Sequence, residues 1–177
     1  MKKFRVGLIG CGVISDIYLQ TCQKFDLLDV VACASLDIAE SRTKAEQYSI
    51  PRACSPEEIF QDPNIDCVLN LTIPSAHAEV SLKALEAGKH VYSEKPFATS
   101  IEDGKKILDL AQAKGLYVGN APDTFLGGRV QTCRRLIDEG VIGKPTGVSA
   151  FACTHGVERH HPNPDFYYLQ GGGPLLD

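Results

Sequence analysis

The sequence predicts an α/β fold built on a doubly wound parallel sheet. Apolar segments alternate with helical segments from residue 4 to residue 120, and the connections between them are short. The run LDVVACA at residues 28–34 is almost continuously apolar, as is typical of a strand buried on both faces. A parallel sheet with helices on both sides accounts for both observations.

The first elements follow from apolar runs and helix caps. A strand at residues 6–9 ends in a glycine loop, and the strand at residues 28–34 lies between two helical segments. The next short helix is marked by Ser55, Pro56 and Glu58, which supply an N-cap, a proline at the first helical position and a glutamate at the third. The two flanking helices are predicted at residues 16–25 and 38–48.

The later elements follow from the same signals. Pro74 stops a strand, Gly88 ends one helix and Gly115 ends another. Together these signals predict strands at residues 66–71, 90–93 and 116–119, and helices at residues 76–87 and 100–114.

The pattern changes after Asn120. A helix is predicted at residues 123–139, and residues 145–154 alternate enough for an exposed or edge strand. The remaining tail is rich in His, Pro, Tyr and Gly and has no periodicity. We therefore expect a first domain at residues 1–122 and the beginning of a truncated α+β second domain at residues 123–177.

The first strand leads into the clearest signal for a ligand. Residues 6–15 read VGLIGCGVIS, which contains G-x-G-x-x-S directly after a strand. Gly10 allows a tight turn, Gly12 leaves room for a pyrophosphate, and the small Ser15 lets the next helix pack against the strand. Phosphates would then rest on the amides at the N-terminus of that helix. This context predicts a Rossmann-type dinucleotide-binding fold, and a plain glycine turn is the alternative.

The end of the second strand bears on which dinucleotide is bound. An acidic residue there would normally bind the ribose 2'-hydroxyl of NAD, whereas this chain has Ser35, with Asp37 two residues later. A neutral Ser35 tolerates the 2'-phosphate of NADP better than a carboxylate does, and Arg42 and Lys44 on the next helix are candidates to reach it. The sequence therefore favours NADP slightly over NAD. In the alternative interpretation, Ser35 caps the strand and contacts no cofactor.

Composition argues against several other classes of protein. The net charge is -4 and no run of Lys and Arg occurs, so no nucleic-acid partner is expected. Since the N-terminus does not resemble a signal peptide and no segment has the length of a membrane span, we expect a cytoplasmic protein without a membrane partner. The seven cysteines show no metal-binding spacing and are expected to be reduced thiols.

Three histidines near the end of the chain are candidate metal ligands. His160 and His161 are adjacent, so their side chains diverge, and His155 has no carboxylate or cysteine partner at a recognisable spacing. We predict no metal site.

Sites on open parallel sheets form beyond the carboxyl ends of the strands. By that rule the glycine loop, Ser35, residues 72–77, residues 94–96 and Asn120 meet in one crevice. Lys95 is the leading titratable group there, because a lysine between a carboxylate and a proline can be held in place. Such a lysine can donate a proton or a hydrogen bond to a substrate oxygen as hydride moves. The alternative is an exposed Glu–Lys pair of little energetic consequence.

Five motifs occur in an order that is far more specific than the glycine loop alone. They are the glycine loop, Thr72-Ile73-Pro74 with His77, Glu94-Lys95-Pro96, Ile142-Gly143-Lys144-Pro145, and Gly171-Gly172-Gly173-Pro174-Leu175-Leu176-Asp177. In this combination the chain resembles the glucose–fructose oxidoreductase, inositol dehydrogenase and rhizopine-catabolism (Gfo/Idh/MocA) family. The resemblance covers essentially the whole chain.

The resemblance implies an NAD(P)-dependent oxidoreductase that acts on a sugar, a cyclitol or a related polyol. It places Gly10, Gly12, Val13 and Ile14 at the pyrophosphate and Ser35 at the adenosine ribose. Thr72, Ile73, Pro74 and His77 line the path toward the nicotinamide, and Glu94 and Lys95 stand beside it. Asn120, which the strand-end rule places at the same crevice, is also expected to bind the cofactor. Lys95 would also meet the substrate, and Asp177 would be the acidic member of a substrate-side motif. The peptide before Pro96 is often cis in such proteins.

The resemblance also implies a longer protein. Family members continue from the final aspartate as D-x-G-x-H, where the histidine serves in proton transfer. Their second domain is a large antiparallel sheet that builds the substrate wall and a homo-oligomer contact. At the present length the chain is expected to bind dinucleotide weakly and not to turn over substrate. The alternative function is a non-catalytic dinucleotide-binding or sensor protein.

Overall fold

The computed structural model describes residues 3–151, 153, 155–158, 164–169 and 173. The chain divides into two compact units. One unit comprises residues 1–121 and 165–177, and the other comprises residues 122–164. The sheet described below belongs to the first unit.

Six parallel strands form one sheet within the described residues. They are β1 (Phe4–Ile9), β2 (Leu28–Ala34), β3 (Ala53–Cys54), β4 (Cys67–Asn70), β5 (His90–Ser93) and β6 (Val118–Asn120). Their order is β3-β2-β1-β4-β5-β6, so the chain starts in the middle and builds outward in both directions. The predicted doubly wound parallel sheet is confirmed. The strand order reverses between β1 and β4, which is where open parallel sheets bind their ligands.

The described residues contain six α-helices. They are α1 (Ser15–Cys22), α2 (Ile38–Tyr48), α3 (Pro56–Gln61), α4 (His77–Glu86), α5 (Ile101–Lys114) and α6 (Gly128–Asp138). Ser55 and Glu58 form a reciprocal capping box at the start of α3, as predicted. Ser100 caps α5 by accepting from the N–H of Asp103, and Gly115 ends this helix in the left-handed conformation.

Neighbouring residues of β1 pack into different apolar clusters. Leu8 belongs to a cluster with Leu19 of α1 and Leu69 of β4. Ile9 belongs to another cluster, with Leu85 of α4 and Ile107 of α5. Because successive side chains of a strand point to opposite faces, helices cover both faces of the central strands. Full burial of a Leu or Ile side chain contributes about 1.5–3 kcal/mol, so this packing holds the strand ends firmly in place.

Two local features differ from the sequence-based expectation. The two-residue strand β3 pairs with the end of β2 and was not predicted, because so short a segment has no recognisable pattern. The edge strand expected at residues 145–154 is wrong for the described part, since residues 145–151 and Cys153 carry no strand. An alternating sequence becomes a strand only where a neighbouring strand exchanges backbone hydrogen bonds with it.

The second unit contains the amphipathic helix α6. Arg134 pairs with Asp138 at 2.7 Å, and Arg135 pairs with Glu139 at 3.4 Å, both with the four-residue spacing that suits an exposed helix face. Across the ranges that the structure describes, no helix has both the length and the apolar character needed to cross a bilayer.

Candidate functional site

The turn after β1 requires glycine at position 10. Gly10 has a φ of 106°, and an added Cβ would lie 2.5 Å from the carbonyl carbon of Leu71 and 2.8 Å from the backbone nitrogen of Thr72. The N–H of Gly10 donates to the carbonyl oxygen of Ala34 at 2.8 Å. The loop therefore approaches the ends of β2 and β4 too closely to accommodate a side chain.

Past Gly10 the loop opens toward solvent. An added Cβ at Gly12 would meet no heavy atom within 4 Å, and the side chains of Val13 and Ile14 are exposed. Ser15 is fully buried, and its hydroxyl donates to the carbonyl oxygen of Gly12 at 2.6 Å. No side chain of the described residues caps the start of α1. The N–H groups of Ser15 and Asp16 donate to the carbonyl oxygens of Gly12 and Val13, at 3.0 Å and 3.4 Å. The open part of the loop is therefore the stretch at residues 12–14, just before the helix, which leaves room for a pyrophosphate.

A carboxylate faces the end of β2. The hydroxyl of Ser35 donates to Oε2 of Glu40 at 2.6 Å, and Asp37 caps the first turn of α2. Ser35 is half-buried, whereas Glu40 is exposed. Near the expected position of the adenosine ribose, the strand end therefore carries the neutral Ser35, and the first turn of α2 carries the negatively charged Glu40.

The basic residues considered for a 2'-phosphate differ in their surroundings. Nζ of Lys44 forms an ion pair with Asp16 at 2.5 Å, and the hydroxyl of Tyr48 donates to the same carboxylate oxygen at 2.9 Å. The hydrogen bond from Lys44 lowers the pKa of Asp16. Lys44 is thus held between α1 and α2, while Arg42 is exposed on the same helix.

A buried asparagine organises the end of β4. Nδ2 of Asn70 donates to the carbonyl oxygen of His77 at 2.9 Å and to Oγ of Ser81 at 3.1 Å. Its Oδ1 accepts from the hydroxyl of Thr72 at 2.7 Å and from the N–H of Thr72 at 3.3 Å. Asn70 is fully buried and all of its hydrogen-bonding groups are satisfied, so it fixes the chain between β4 and α4.

His77 lies behind this loop. The residue is only 1% exposed, with Nδ1 2.6 Å from the carbonyl oxygen of Pro96 and Nε2 2.8 Å from the carbonyl oxygen of Thr72. The resemblance implies that His77 lines the path toward the nicotinamide. In the structure its ring lies between two backbone segments, with a carbonyl oxygen facing each ring nitrogen.

The loop that carries Lys95 is held by side chains from distant elements. The hydroxyl of Tyr18, on α1, donates to Oε1 of Glu94 at 2.7 Å, and the backbone N–H of Lys95 donates to Oε2 at 2.8 Å. Nδ2 of Asn120, on β6, donates to the carbonyl oxygens of Ser93 and Glu94, each at 3.0 Å. The peptide bond after Lys95 is cis, as the resemblance implies.

Strand pairing brings these segments to one edge of the sheet. Ile9 is level with Ala34 of β2 and Asn70 of β4, and Asn70 is level with Ser93 of β5, which is level with Asn120 of β6. The predicted cofactor-binding residues differ in exposure. Four are exposed: Gly12, Val13, Ile14 and Ile73. His77 is buried, and the others are half-buried: Gly10, Ser35, Thr72, Pro74, Glu94, Lys95 and Asn120. The expected convergence is therefore present in the fold, with His77 withdrawn from the surface.

Some predicted residues cannot be placed. Asp177, His160 and His161 lie outside the described residues. Within the described part of the chain, no three His, Cys, Asp or Glu side chains are arranged to hold a metal ion.

Cys11 of the glycine loop faces the protein interior. Its thiol donates to the carbonyl oxygen of Ala34 at 3.5 Å. A hydrogen bond with the thiol of Cys33 lowers the pKa of Cys11 and raises that of Cys33. Cys11 is thus a small buried residue that packs beneath the glycine loop.

Sequence reasoning missed three residues that shape the site. Tyr18 follows Ser15 by one helical turn. Its hydroxyl group, on a half-buried residue of α1, was a signal that this side chain bonds to another element of the fold. Asn70 is a lone amide at the end of the apolar run CVLN, which marks a buried polar role. Glu40 lies five residues after Ser35, within reach once α2 begins.

The sheet topology, the glycine turn and the uncapped start of α1 define a Rossmann-type nucleotide-binding fold. The family model described as "Oxidoreductase family, NAD-binding Rossmann fold" matches residues 4–121. The chain belongs to this family, the Gfo/Idh/MocA oxidoreductases, as its motifs indicated.

Characterised relatives resemble nearly the whole chain. It is 32% identical over 180 residues to dTDP-3,4-didehydro-2,6-dideoxy-alpha-D-glucose 3-reductase of Saccharopolyspora spinosa, an alignment that covers 99% of this chain and 53% of the relative. It is 30% identical over 178 residues to 1,5-anhydro-D-fructose reductase of Ensifer adhaerens, with 98% and 52% covered. The chain thus spans about half the length of the curated relatives it matches.

A solved structure agrees with the fold. KijD10, a 3-ketoreductase from Actinomadura kijaniata in complex with NADP and TDP-benzene, superposes with a TM-score of 0.74 at 27% sequence identity. The match covers 79% of this chain and 43% of that chain. The fold of this chain is therefore similar to that of a solved NADP complex, in agreement with the family match in sequence.

Proposed function

We propose that this chain binds NAD(P) at the carboxyl edge of its sheet and forms the cofactor half of an oxidoreductase acting on a sugar, a cyclitol or a related polyol. One observation carries the proposal. The hydrogen bond from Tyr18 to Glu94 ties the helix that follows the glycine loop to the segment that carries Lys95. A phosphate-binding loop and a proton-donating lysine are thereby joined at one crevice.

The residues present fit a dinucleotide. The open space at Gly12 and the exposed Val13 and Ile14, together with the tight turn at Gly10, suit a pyrophosphate at the N-terminal end of α1. In this proposal Ser35 contacts the adenosine ribose. Thr72, Ile73, Pro74, Glu94 and Asn120 border the nicotinamide side. When bound, the nicotinamide supplies the hydride chemistry, and the protein supplies orientation and charge.

Lys95 is assigned the proton transfer. Its backbone is fixed on both sides, while its side chain is half-buried at the strand ends. A lysine ammonium is a compact donor on a flexible stem, suited to hydrogen-bond a substrate oxygen and to give up a proton when that oxygen becomes negatively charged. Two relatives are named as reductases of sugar derivatives, which supports a role for Lys95 in proton transfer to a substrate oxygen.

The second domain belongs to the same proposal. We assign residues 1–122 to cofactor binding, and residues 123–177 to the start of the substrate domain, with Asp177 as a catalytic residue on the substrate side. The glycine-rich motif that precedes Asp177, and relatives about twice as long, support this assignment. A homo-oligomer formed through that domain is proposed for the full-length protein. Seven free thiols are typical of a protein in the reducing cytoplasm.

The proposal is tested first by titrating the 177-residue chain with NADPH and with NADH while following cofactor fluorescence. We expect saturable binding. Gly12→Asp is the matched control, because a Cβ added there meets no heavy atom within 4 Å, while the carboxylate would lie near the expected pyrophosphate and repel it. This variant should fold normally, by circular dichroism, and lose binding. A folded wild-type chain that binds neither cofactor would contradict the proposal.

Hydride transfer is then tested on the full-length protein. The probes are 1,5-anhydro-D-fructose with NADPH and myo-inositol with NAD, followed by absorbance of the reduced cofactor. Turnover of either substrate supports the oxidoreductase. Tight cofactor binding with no turnover across a wider set of sugars and cyclitols would favour a dinucleotide-binding sensor instead.

Cofactor preference is proposed to depend on the charges around Ser35. A neutral Ser35 and the exposed Arg42 favour the 2'-phosphate of NADP, whereas Glu40 repels it. Ser35→Asp is expected to shift the ratio of the NADPH and NADH dissociation constants toward NADH by about tenfold, equivalent to about 1.4 kcal/mol. Glu40→Gln removes the repelling carboxylate, so it should shift the ratio of the dissociation constants toward NADPH. Fluorescence titration measures both.

The control for this prediction is Glu46→Gln. Glu46 is an exposed carboxylate in the last turn of α2, far along the helix from Ser35, so the ratio should not move. An unchanged ratio in Ser35→Asp would instead mean that Ser35 has only a structural role.

A further inference from the structure

His77 connects two backbone segments that the strand order brings together. It is the first residue of α4, and its own carbonyl oxygen accepts the hydrogen bond from Asn70 that fixes the end of β4. Its ring lies between the carbonyl oxygens of Thr72 and Pro96, at 2.8 Å and 2.6 Å. The imidazole thus bridges the segment after β4 and the segment after β5.

The chemistry of the bridge is set by its partners. Carbonyl oxygens only accept hydrogen bonds, so each ring nitrogen needs a hydrogen to bond its neighbour. Of the two contacts, the one between Nδ1 and the carbonyl oxygen of Pro96 is the shorter. Because the ring itself is almost completely buried, water has little access to its nitrogens, and a hydrogen bond from the ring restrains the loop that it holds.

Lys95 is the residue between two anchored points. On its N-terminal side, Tyr18 and Asn120 hold Glu94 by its carboxylate and its carbonyl oxygen. On its C-terminal side, the ring of His77 holds the carbonyl oxygen of Pro96. Beyond this point Phe97 and Ala98 pack against the core. Loss of the second anchor would therefore loosen the short stretch between Lys95 and that packed segment, and the position of the lysine would be less well defined.

We propose that His77 is a positioning residue for Lys95, acting through the carbonyl oxygen of Pro96. The inference rests on the proposed function of Lys95 and changes the role of His77 from a cofactor contact to a support for the lysine loop. A misplacement of about 1 Å at a reacting group can lower turnover by about 100-fold, so such a support is consequential.

Two amide substitutions at His77 distinguish the contribution of the Nδ1 contact from that of the Nε2 contact. Asn carries its amide nitrogen one bond beyond Cγ, near the position of Nδ1, so His77→Asn keeps a donor for Pro96. Gln carries its amide nitrogen one bond further, near the position of Nε2, so His77→Gln keeps a donor for Thr72 and loses the one for Pro96. Both variants retain a polar side chain in the buried site.

The two variants should differ in turnover. In the full-length protein, with 1,5-anhydro-D-fructose and NADPH as the probe, His77→Gln is expected to lower kcat by about tenfold or more, with the dissociation constant of NADPH within about threefold. His77→Asn should keep kcat within about threefold of wild type. A purely structural role would reduce both variants alike.

The second readout needs neither cofactor nor turnover. Amide hydrogen exchange at Lys95, measured by NMR on the 177-residue chain, should accelerate by about tenfold in His77→Gln and stay close to wild type in His77→Asn. His90→Gln is the matched control, because its ring stacks near Phe4 and Tyr117 rather than at this loop. Since this measurement is made without cofactor, it judges the positioning role even if the dinucleotide proposal fails.

Several outcomes would overturn the inference. Equal exchange rates at Lys95 in both variants would mean that the Pro96 contact does not restrain the loop. A larger effect of His77→Asn than of His77→Gln would assign the restraint to Thr72. Loss of folding in both variants would make His77 a stability residue only.

Discussion

Replacement of Lys95 by alanine is expected to lower kcat/KM by about 100-fold or more while the dissociation constant of the cofactor stays nearly unchanged. A positioned acid or base contributes about 100- to 10,000-fold to a proton-transfer step, and alanine removes that group without filling its space. The backbone contacts of the loop are made by Glu94, Asn120 and His77, so they survive the substitution. The measurement is steady-state kinetics on the full-length protein, paired with a fluorescence titration of NADPH.

Two further variants sharpen this expectation. Lys95→Arg keeps a positive charge but replaces the ammonium with a guanidinium that does not release its proton, so it should remain impaired by about tenfold or more. Lys83→Ala removes an exposed lysine of α4 that pairs with Glu79 at 2.7 Å, and it should leave kcat/KM unchanged. Near-normal turnover in Lys95→Ala would remove Lys95 from the mechanism.

Features determined by neighbouring residues could be predicted from the sequence. The turn at Gly10, the capping box of Ser55 and Glu58, and the left-handed end of α5 at Gly115 each depend on a few consecutive residues. The parallel sheet follows as well, because alternating apolar and helical segments with short connections have few other arrangements. The crevice at the strand ends is a consequence of that topology.

Contacts between distant residues could not be predicted in the same way. Tyr18 meets Glu94 across 76 residues, and His77 meets Pro96 across 19, so no local pattern encodes either distance. Tyr18 therefore received no role from the sequence, and His77 was assigned to the crevice by the position of strand ends and by the family resemblance. Only the packing of α1 and α4 on opposite faces of the sheet shows that the lysine loop is held from two sides.

Substitutions at the two glycines of the loop should distinguish effects on folding from effects on cofactor binding. Gly10→Ala is expected to lower the free energy of unfolding by about 2–4 kcal/mol, because a φ of 106° strains any L side chain and the added Cβ would collide with the backbone at Leu71 and Thr72. Those backbone atoms continue directly from β4, so they cannot move aside without disturbing the sheet. Urea unfolding followed by circular dichroism measures the change.

Gly12→Ala is the matched comparison in the same loop. Its added methyl group meets no heavy atom within 4 Å, so the free energy of unfolding should change by less than about 1 kcal/mol. The same methyl group lies where a pyrophosphate would approach the backbone, so cofactor binding should weaken by about tenfold or more. Gly10→Ala should thus mainly destabilise the fold, and Gly12→Ala should mainly weaken the ligand. If both variants changed stability alike and left binding intact, the loop would be a structural turn, and the phosphate-binding role proposed for it would be lost.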